Sequence, residues 1–494
     1  MFLLGYDIGS SAIKATLLEA QTGKVLAAAT SPKTELEIMA AQPGWAEQDP
    51  ELWWTHVKAA TAQIQSQAEV DLAEVQAVGI AYQMHGLVIV DKNRQVLRPA
   101  IIWCDSRAVQ TGEAAASDIG QEKCLENLLN YPGNFTASKL KWVMENEPRL
   151  YAKIYKAMLP GDYIAMRMSD EIVTTPSGLS EGIMWDFRKH ELAGLVFDYY
   201  GISPELIPPV VPTFCVQGQM SKKAAEELGL KAGTKISYRA GDQPNNALSL
   251  KVLNPGEIAA TAGTSGVVYG VSDKANYDAK SRVNIFAHVN HSPEKPRYGV
   301  LLCVNGTGVL NSWLKTNVTE PMSYEQMNVL AGQAPVGCEG LVVLPYGNGA
   351  ERTLENRDIG AVMHGLKFST HKKCHLLRAA QEGIAFALNY GLEIMRDMGV
   401  EVKTVRAGDT NMFLSELFGQ AFATVSGAVV ELYNTDGSQG AARGAGLGAG
   451  VYKNYEEALA GLETTKVIDP AGDLSAAYEQ AYRNWLGALQ SVLE

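Results

Sequence analysis

The 494-residue sequence has no run of about 20 apolar residues, no CxxC pair, no Walker A pattern and no GxGxxG motif placed after a strand. Each absence removes a class. Without a long apolar run the chain is not read as spanning a bilayer, and Met1-Phe2-Leu3-Leu4-Gly5-Tyr6-Asp7 opens with neither a basic region nor a signal-length apolar stretch. A cytoplasmic location is expected. Six scattered cysteines, at 104, 124, 215, 303, 338 and 374, read as small hydrophobes or free thiols rather than as a metal site or a disulfide framework. Basic charge is also scarce: 42 Lys and Arg against 54 Asp and Glu give a net charge of −12. A basic stripe for nucleic acid or for an anionic membrane is not expected, so an anionic substrate would be met by local donors.

What is present is an ordinary folded composition, 46% hydrophobic and 19% charged. The length exceeds one hydrophobic core, and two domains are expected, residues 1–247 and 248–494. Phe2 to Ile8, Ala12 to Leu18 and Val25 to Ala29 read as an antiparallel meander whose first turn is Gly9-Ser10-Ser11. Asp49, Pro50 and Glu51 signal the start of a helix running to Gln67, and Val75 to Tyr82 reads as a buried strand. Thr234 to Ala240 is a strand running into a turn at Gly241-Asp242-Gln243-Pro244. The opening hairpin then recurs as strand 257–261, turn Gly263-Thr264-Ser265-Gly266 and strand 267–271. Helices at 374–398, 413–426 and 475–493 alternate with strands at 404–407 and 429–432. A duplicated hairpin among alternating strands and helices implies two α/β domains flanking a cleft.

Two donor-rich hairpin turns on opposite sides of a cleft suit a polyphosphate, because Gly, Ser and Thr bring backbone N–H groups and hydroxyls close to an anion. Asp7, just before the first turn, is placed to hold a hydrated Mg²⁺.

Asp7-x-Gly9-Ser10-Ser11-x-x-Lys14, Gln83-Met84-His85-Gly86, Trp103-x-Asp105-x-Arg107, Gly241-Asp242-Gln243, Gly263-Thr264-Ser265-Gly266, Leu344-Pro345-Tyr346 with Glu351-Arg352-Thr353, and Arg378-Ala379-x-x-Glu382-Gly383 follow one another along the chain. In order and spacing they resemble the FGGY carbohydrate kinases, and within them the xylulokinases most of all. The resemblance implies two actin-like ATPase (ribonuclease H-like) domains around a central cleft, with sugar held by the first and nucleotide mainly by the second. It implies ATP and Mg²⁺ as cofactors, a small sugar as the other partner, and a homodimer as an assembly the family often forms.

The roles it implies are these. Asp242 is the catalytic base. Gln83, Met84, His85, Asp105, Arg107 and Gln243 contact sugar, although an Asp105–Arg107 salt bridge bracing its loop is an equal reading. Gly9, Ser10, Ser11, Lys14, Gly263, Thr264, Ser265, Gly308, Ser312, Gly408, Asn411 and Met412 surround the nucleotide, and Asp7 lies near Mg²⁺. D-xylulose is the expected substrate, giving D-xylulose 5-phosphate. Xylulokinases commonly carry Asn where this chain has Gln243, a residue familiar from glycerol-kinase-like members. Another ketose or a polyol is therefore the nearest rival. A nucleotide switch without sugar chemistry is the rival from a different class. The small-residue stretch 440–450 reads as close helix packing at the domain interface.

Overall fold

A computed structural model describes all 494 residues. The first sheet holds β1 (Phe2–Ile8), β2 (Ile13–Glu19), β3 (Val25–Ser31), β4 (Val75–Tyr82), β5 (Phe214–Gln219) and β6 (Lys235–Gly241), in the order β5-β6-β4-β1-β2-β3. β1, β2 and β3 are antiparallel neighbours, β1, β4 and β6 run parallel, and β5 closes the edge antiparallel.

The second sheet holds β7 (Glu257–Ala262), β8 (Gly266–Ser272), β9 (Asn284–Ala287), β10 (Tyr298–Val304), β11 (Thr404–Gly408), β12 (Val429–Tyr433) and β13 (Thr464–Ile468), in the order β9-β10-β8-β7-β11-β12-β13. It repeats the first: an antiparallel β10-β8-β7 meander, three parallel strands β7, β11 and β12, and an antiparallel edge. The repeat agrees with the two α/β domains expected from the duplicated hairpin and with the actin-like ATPase arrangement that the resemblance implies.

Local chemistry explains the framework. α1 (Pro50–Gln67) starts where Asp49 accepts a hydrogen bond from the Glu51 N–H and Pro50 fills the first helical position, and its apolar face (Trp53, Trp54, Val57, Ile64) lies against β2 and β3. The sequence reading misses α2 (Asp242–Ser249), taking its first residues for a turn before Pro244. Pro244 occupies the first turn of that helix, where no intrahelical N–H is required. The helix expected over 413–426 is likewise two pieces, a 3₁₀ turn at Asn411–Leu414 and a helix at Glu416–Ser426, because Ser415 caps the second piece through the Phe418 N–H.

One helix ties the halves together. α3 (Gly437–Gly448), from the second half, packs on the first sheet against β1, β4 and β6. Glycines on both surfaces permit the contact: a Cβ at Gly5 would lie 2.0 Å from the Ser438 carbonyl oxygen, and one at Gly79 2.0 Å from that of Ala441. The interface role expected for 440–450 is thus seen directly.

Candidate active site

Three parallel strands of the first sheet end side by side, and each delivers a polar group at its carboxyl end, where open α/β sheets bind ligands. β1 supplies Asp7, β4 runs into Gln83-Met84-His85, and β6 runs into Asp242 at the start of α2. Asp7 and Lys14 stand directly opposite each other across the β1–β2 hairpin, so both side chains leave the same face.

Asp7, Lys14, Asp242, Gln243, Asn246, Gly408, Asn411 and Asp436 line a cavity of about 250 Å³ between the halves. A second cavity of about 550 Å³ shares Ala262, Thr410 and Asn411 with it and adds Gly263, Thr264, Gly308, Ser312, Tyr324, Asn328 and Met412. Together they form one trough from Asp242 into the second half. Another cavity, about 660 Å³, lies away from both, and its Arg94 pairs with Asp170 and its Arg167 with Glu51.

The carboxylates in the trough are starved of solvent. Burial pushes Asp242 up to about 7, reinforced by the charge of Asp7 and partly opposed by hydrogen bonds from the Gln243 main chain and side chain. Burial likewise pushes Asp7 up to about 6, with Lys14 opposing the rise and Asp436 adding to it. Gln243 therefore engages the Asp242 carboxylate itself. A Cβ at Gly437 would lie 2.5 Å from Asp7 Oδ2, so only glycine lets Asp7 sit at the start of α3.

The nucleotide-side hairpin is bonded to α4 (Gly308–Asn317): Gly308 N donates to Gly263 O at 2.8 Å and Val309 N to Thr264 O at 3.1 Å. Two of the first N–H groups of that helix are thus spent on protein carbonyls. Gly308 is required because a Cβ would lie 2.3 Å from Gly263 O. Ser265 and Gly9 lie outside both cavity linings, and Gly9 N donates back to Ala12 O at 3.1 Å. Ser10 Oγ accepts from Trp103 Nε1 at 3.2 Å, and Ser11 O accepts from Leu36 N at 2.8 Å. Trp103, half exposed beside the first turn, was not among the expected site residues.

Beyond Asp242 the loop after β4 is held from below. His85 has a left-handed backbone (φ 62°), and its ring packs edge-on to Phe135 at 4.8 Å and tilted on Phe286 at 5.3 Å. Its Nδ1 lies 2.8 Å from the Glu181 main-chain oxygen. That partner is acceptor-only, so Nδ1 carries the proton and Nε2 is left as an acceptor. Burial pushes the imidazole down to about 3, keeping it neutral. Met84 is buried against Gly241, while Gln83 Nε2 donates to Gln48 Oε1 at 3.2 Å and its own Oε1 lacks a partner.

Asp105 and Arg107 are brought together as the bracing reading has it. Arg107 donates twice to Asp105 Oδ2 (2.7 and 3.0 Å), pairs with Glu47 at 2.6 Å and stacks 3.8 Å from the Trp45 ring centroid; only its Nη1 remains without a partner.

Sequence reasoning missed Lys139. Fully buried, it donates from Nζ to the main-chain oxygens of His85 and Ile102, both at 2.9 Å, and so pins two loops at once; burial pulls its ammonium down to about 7. Nothing in a single sequence marks a lysine on a helix as buried. Asp436 was missed too, although its position after β12 and ahead of a small-residue helix is an N-cap signal, and it does accept from Gln439 N at 2.9 Å.

Comparison with known proteins agrees with this geometry. Residues 2–249 match the N-terminal domain of the FGGY family of carbohydrate kinases and residues 258–451 its C-terminal domain. A xylulose kinase of Bacillus subtilis is 31% identical over 92% of this chain and 90% of its own, and one of Escherichia coli is 30% identical over 99% of each. The crystal structure of a xylulose kinase from Rhodospirillum rubrum superposes with a TM-score of 0.88 at 25% identity, covering 100% of this chain and 99% of that one. Matched along both halves, the chain belongs to the FGGY family of carbohydrate kinases and is an ATP-dependent sugar kinase.

Proposed function

We propose that the enzyme transfers the γ-phosphoryl group of ATP to the terminal hydroxyl of D-xylulose, giving D-xylulose 5-phosphate and ADP. The observation that carries this reading is Asp242, a carboxylate held near neutral pH where the sugar-side loop meets the trough. The naming of both curated relatives as xylulose kinases supports the choice of sugar. Asp242 accepts the hydroxyl proton as the oxygen attacks phosphorus and ADP departs. Positioning matters more than basicity for so loose a transition state, and the Gln243 bonds to Asp242 serve that end.

Residues 1–247 form the sugar side in this reading and 248–494 the nucleotide side, with Lys14, Ser10 and Ser11 facing Thr264, Gly308, Ser312, Gly408, Asn411 and Met412 across the phosphates. Asp7 and Asp242 fit a hard divalent cation: both are oxygen donors in a patch where each raises the burden of negative charge, opposed at Asp7 by Lys14 and at Asp242 by the Gln243 hydrogen bonds. No three such ligands converge, so Mg²⁺ would be held through water and the phosphate oxygens, where it neutralises charge on the transferring group. A cytoplasmic location belongs to the same proposal; no helix is long and apolar enough to cross a membrane, and all six cysteines are unpaired. Exposed Met363, Leu366 and Phe368, the last 95% exposed, support a homodimer.

The test is ADP release with MgATP and a panel of D-xylulose, L-xylulose, D-ribulose, L-ribulose, D-fructose and glycerol. D-xylulose is expected to give the highest kcat/KM; a winning polyol would refute the ketose reading. In the same assay Lys139→Met, which strands two buried carbonyls, is expected to raise the sugar KM about 10-fold or more while leaving the ATP KM within about twofold.

A further inference from the structure

Glu351-Arg352-Thr353, singled out in the sequence, has no task in the site as described. Arg352 belongs to the second half, yet its guanidinium carbon lies 5.9 Å from the Phe135 ring centroid in the first, and its charge helps keep His85 neutral. His85, Phe135 and Phe286 meet ring to ring at this point, so Arg352 stands where the halves face each other beside the sugar loop.

Its fork is left mostly unspent. It is half-buried, burial pulls the guanidinium down to about 10, and no carboxylate pairs with it. Arg98, Arg107, Arg239 and Arg378 each pair with Asp or Glu, and Arg443 donates to three carbonyls. Arg352 has only two long contacts of 3.4 Å, to the main-chain oxygen and hydroxyl of Ser281. Glu351, next in the chain, is turned away to accept from Asn305 N at 2.9 Å.

A guanidinium is a donor and nothing else, with five N–H groups in a rigid fork. Half-buried, without a counter-ion and with Nε and Nη2 bonded to no protein acceptor, it has donors to offer an acceptor that a ligand brings. An open-chain 2-ketose has one group that only accepts, its carbonyl oxygen; each hydroxyl also donates. Arg352 stands against Phe135 and acts on His85, on the loop after β4, whereas Asp242 stands at the end of β6. We propose that Arg352 is a specificity-determining residue that donates to the carbonyl oxygen of the bound ketose, at the end of the sugar remote from Asp242. The contact rests on the ketose reading given above. It makes the sugar a bridge between the halves and distinguishes a ketose from the polyol of the same length.

The experiment compares the full-length enzyme with Arg352→Met and Arg352→Lys on D-xylulose and on xylitol, which has an alcohol in place of the carbonyl. Xylitol is read as a substrate or as a competitive inhibitor. For Arg352→Met, kcat/KM on D-xylulose is expected to fall roughly 10- to 100-fold, mainly through KM, with xylitol affected less than about threefold. Arg352→Lys should recover part of the loss, and the thermal midpoint of Arg352→Met should not drop, because an unpaired buried charge has been removed. Equal losses on both compounds, a lowered midpoint with equal losses, or no loss at all would each overturn the proposal. A wild-type enzyme that ignores D-xylulose and phosphorylates a polyol overturns the substrate reading before any variant is compared, and the carbonyl contact with it.

Discussion

Asp242→Asn is expected to lower kcat by about 10³-fold or more and, at pH 8, to raise the thermal midpoint. The first effect follows from removing the group proposed to take the sugar proton. The second follows from burial. The folded-state value of Asp242, about 7, lies above its ordinary carboxylate value of 3.8, so its contribution to stability is fully present below about pH 4 and is lost as pH rises through 7. Asp7, at about 6, follows the same course somewhat lower. The wild-type midpoint should therefore fall between pH 5 and 8 and that of the Asn variant should fall less, by a difference on the order of 1–3 kcal/mol at the upper end. In catalysis the ionised form is the base, so wild-type kcat/KM should climb with pH up to about 7 and level off. Differential scanning fluorimetry and an initial-rate pH series read both. A variant that is inactive and also less stable at pH 8 would mean that Asp242 holds the fold rather than the proton.

Gly79→Ala is expected to be a severely damaging single-methyl change at the contact between the halves. Its Cβ would lie 2.0 Å from the carbonyl oxygen of Ala441 and 2.8 Å from the carbonyl carbon, both backbone atoms of α3 that no rotamer can move. Either α3 lifts off the first sheet or β4 bends, and the cost should reach about 3 kcal/mol or more, at the severe end for overpacking. Because the trough is built from both bodies, activity should fall further than the folded fraction does. Gly487→Ala is the control of opposite sign: this exposed glycine lies inside the helix Ser475–Leu493 with nothing within 4 Å, and the same methyl should add about 0.5–1 kcal/mol. Urea denaturation of the three proteins side by side settles the comparison; a Gly79→Ala curve close to wild type would mean that the halves are not held by this contact.

These two glycines also show why some of the molecule was legible in sequence and some was not. Local signals carried far: the bounds of α1 follow from Asp49 and Pro50, the first meander and the hairpin that repeats it follow from turn residues between apolar runs, and the terminal helix buries the Tyr478, Ala481, Tyr482, Trp485 and Leu489 stripe that its period marks. Conflicting local signals misled where Pro244 hid the first turn of α2 and where Ser415 divided one apparent helix. The clustering of Asp242 with Asp7 and Lys14 was reached through family resemblance, since Asp242 lies more than 200 residues from both in the chain. Lys139 remained invisible because what distinguishes it is burial, a property of what packs around a residue rather than of its neighbours in sequence, and Arg352, quoted only within a motif, gained no role there because its contact comes from the other half.

The seating of α3 also has a consequence in time. The first sheet is complete once β6 has been made at Gly241, but one face of it is covered by residues up to 448, roughly 200 positions later. At ribosomal speed that interval is on the order of 10–40 s. Throughout it Leu3, Ala77, Ala81 and Tyr238, which end up packed with Ala441, Ala442 and Ala445, have no covering helix. The nascent sheet is therefore a client for chaperones until its lid is synthesised, and a chain truncated before α3 should aggregate rather than survive as a stable sugar-binding half.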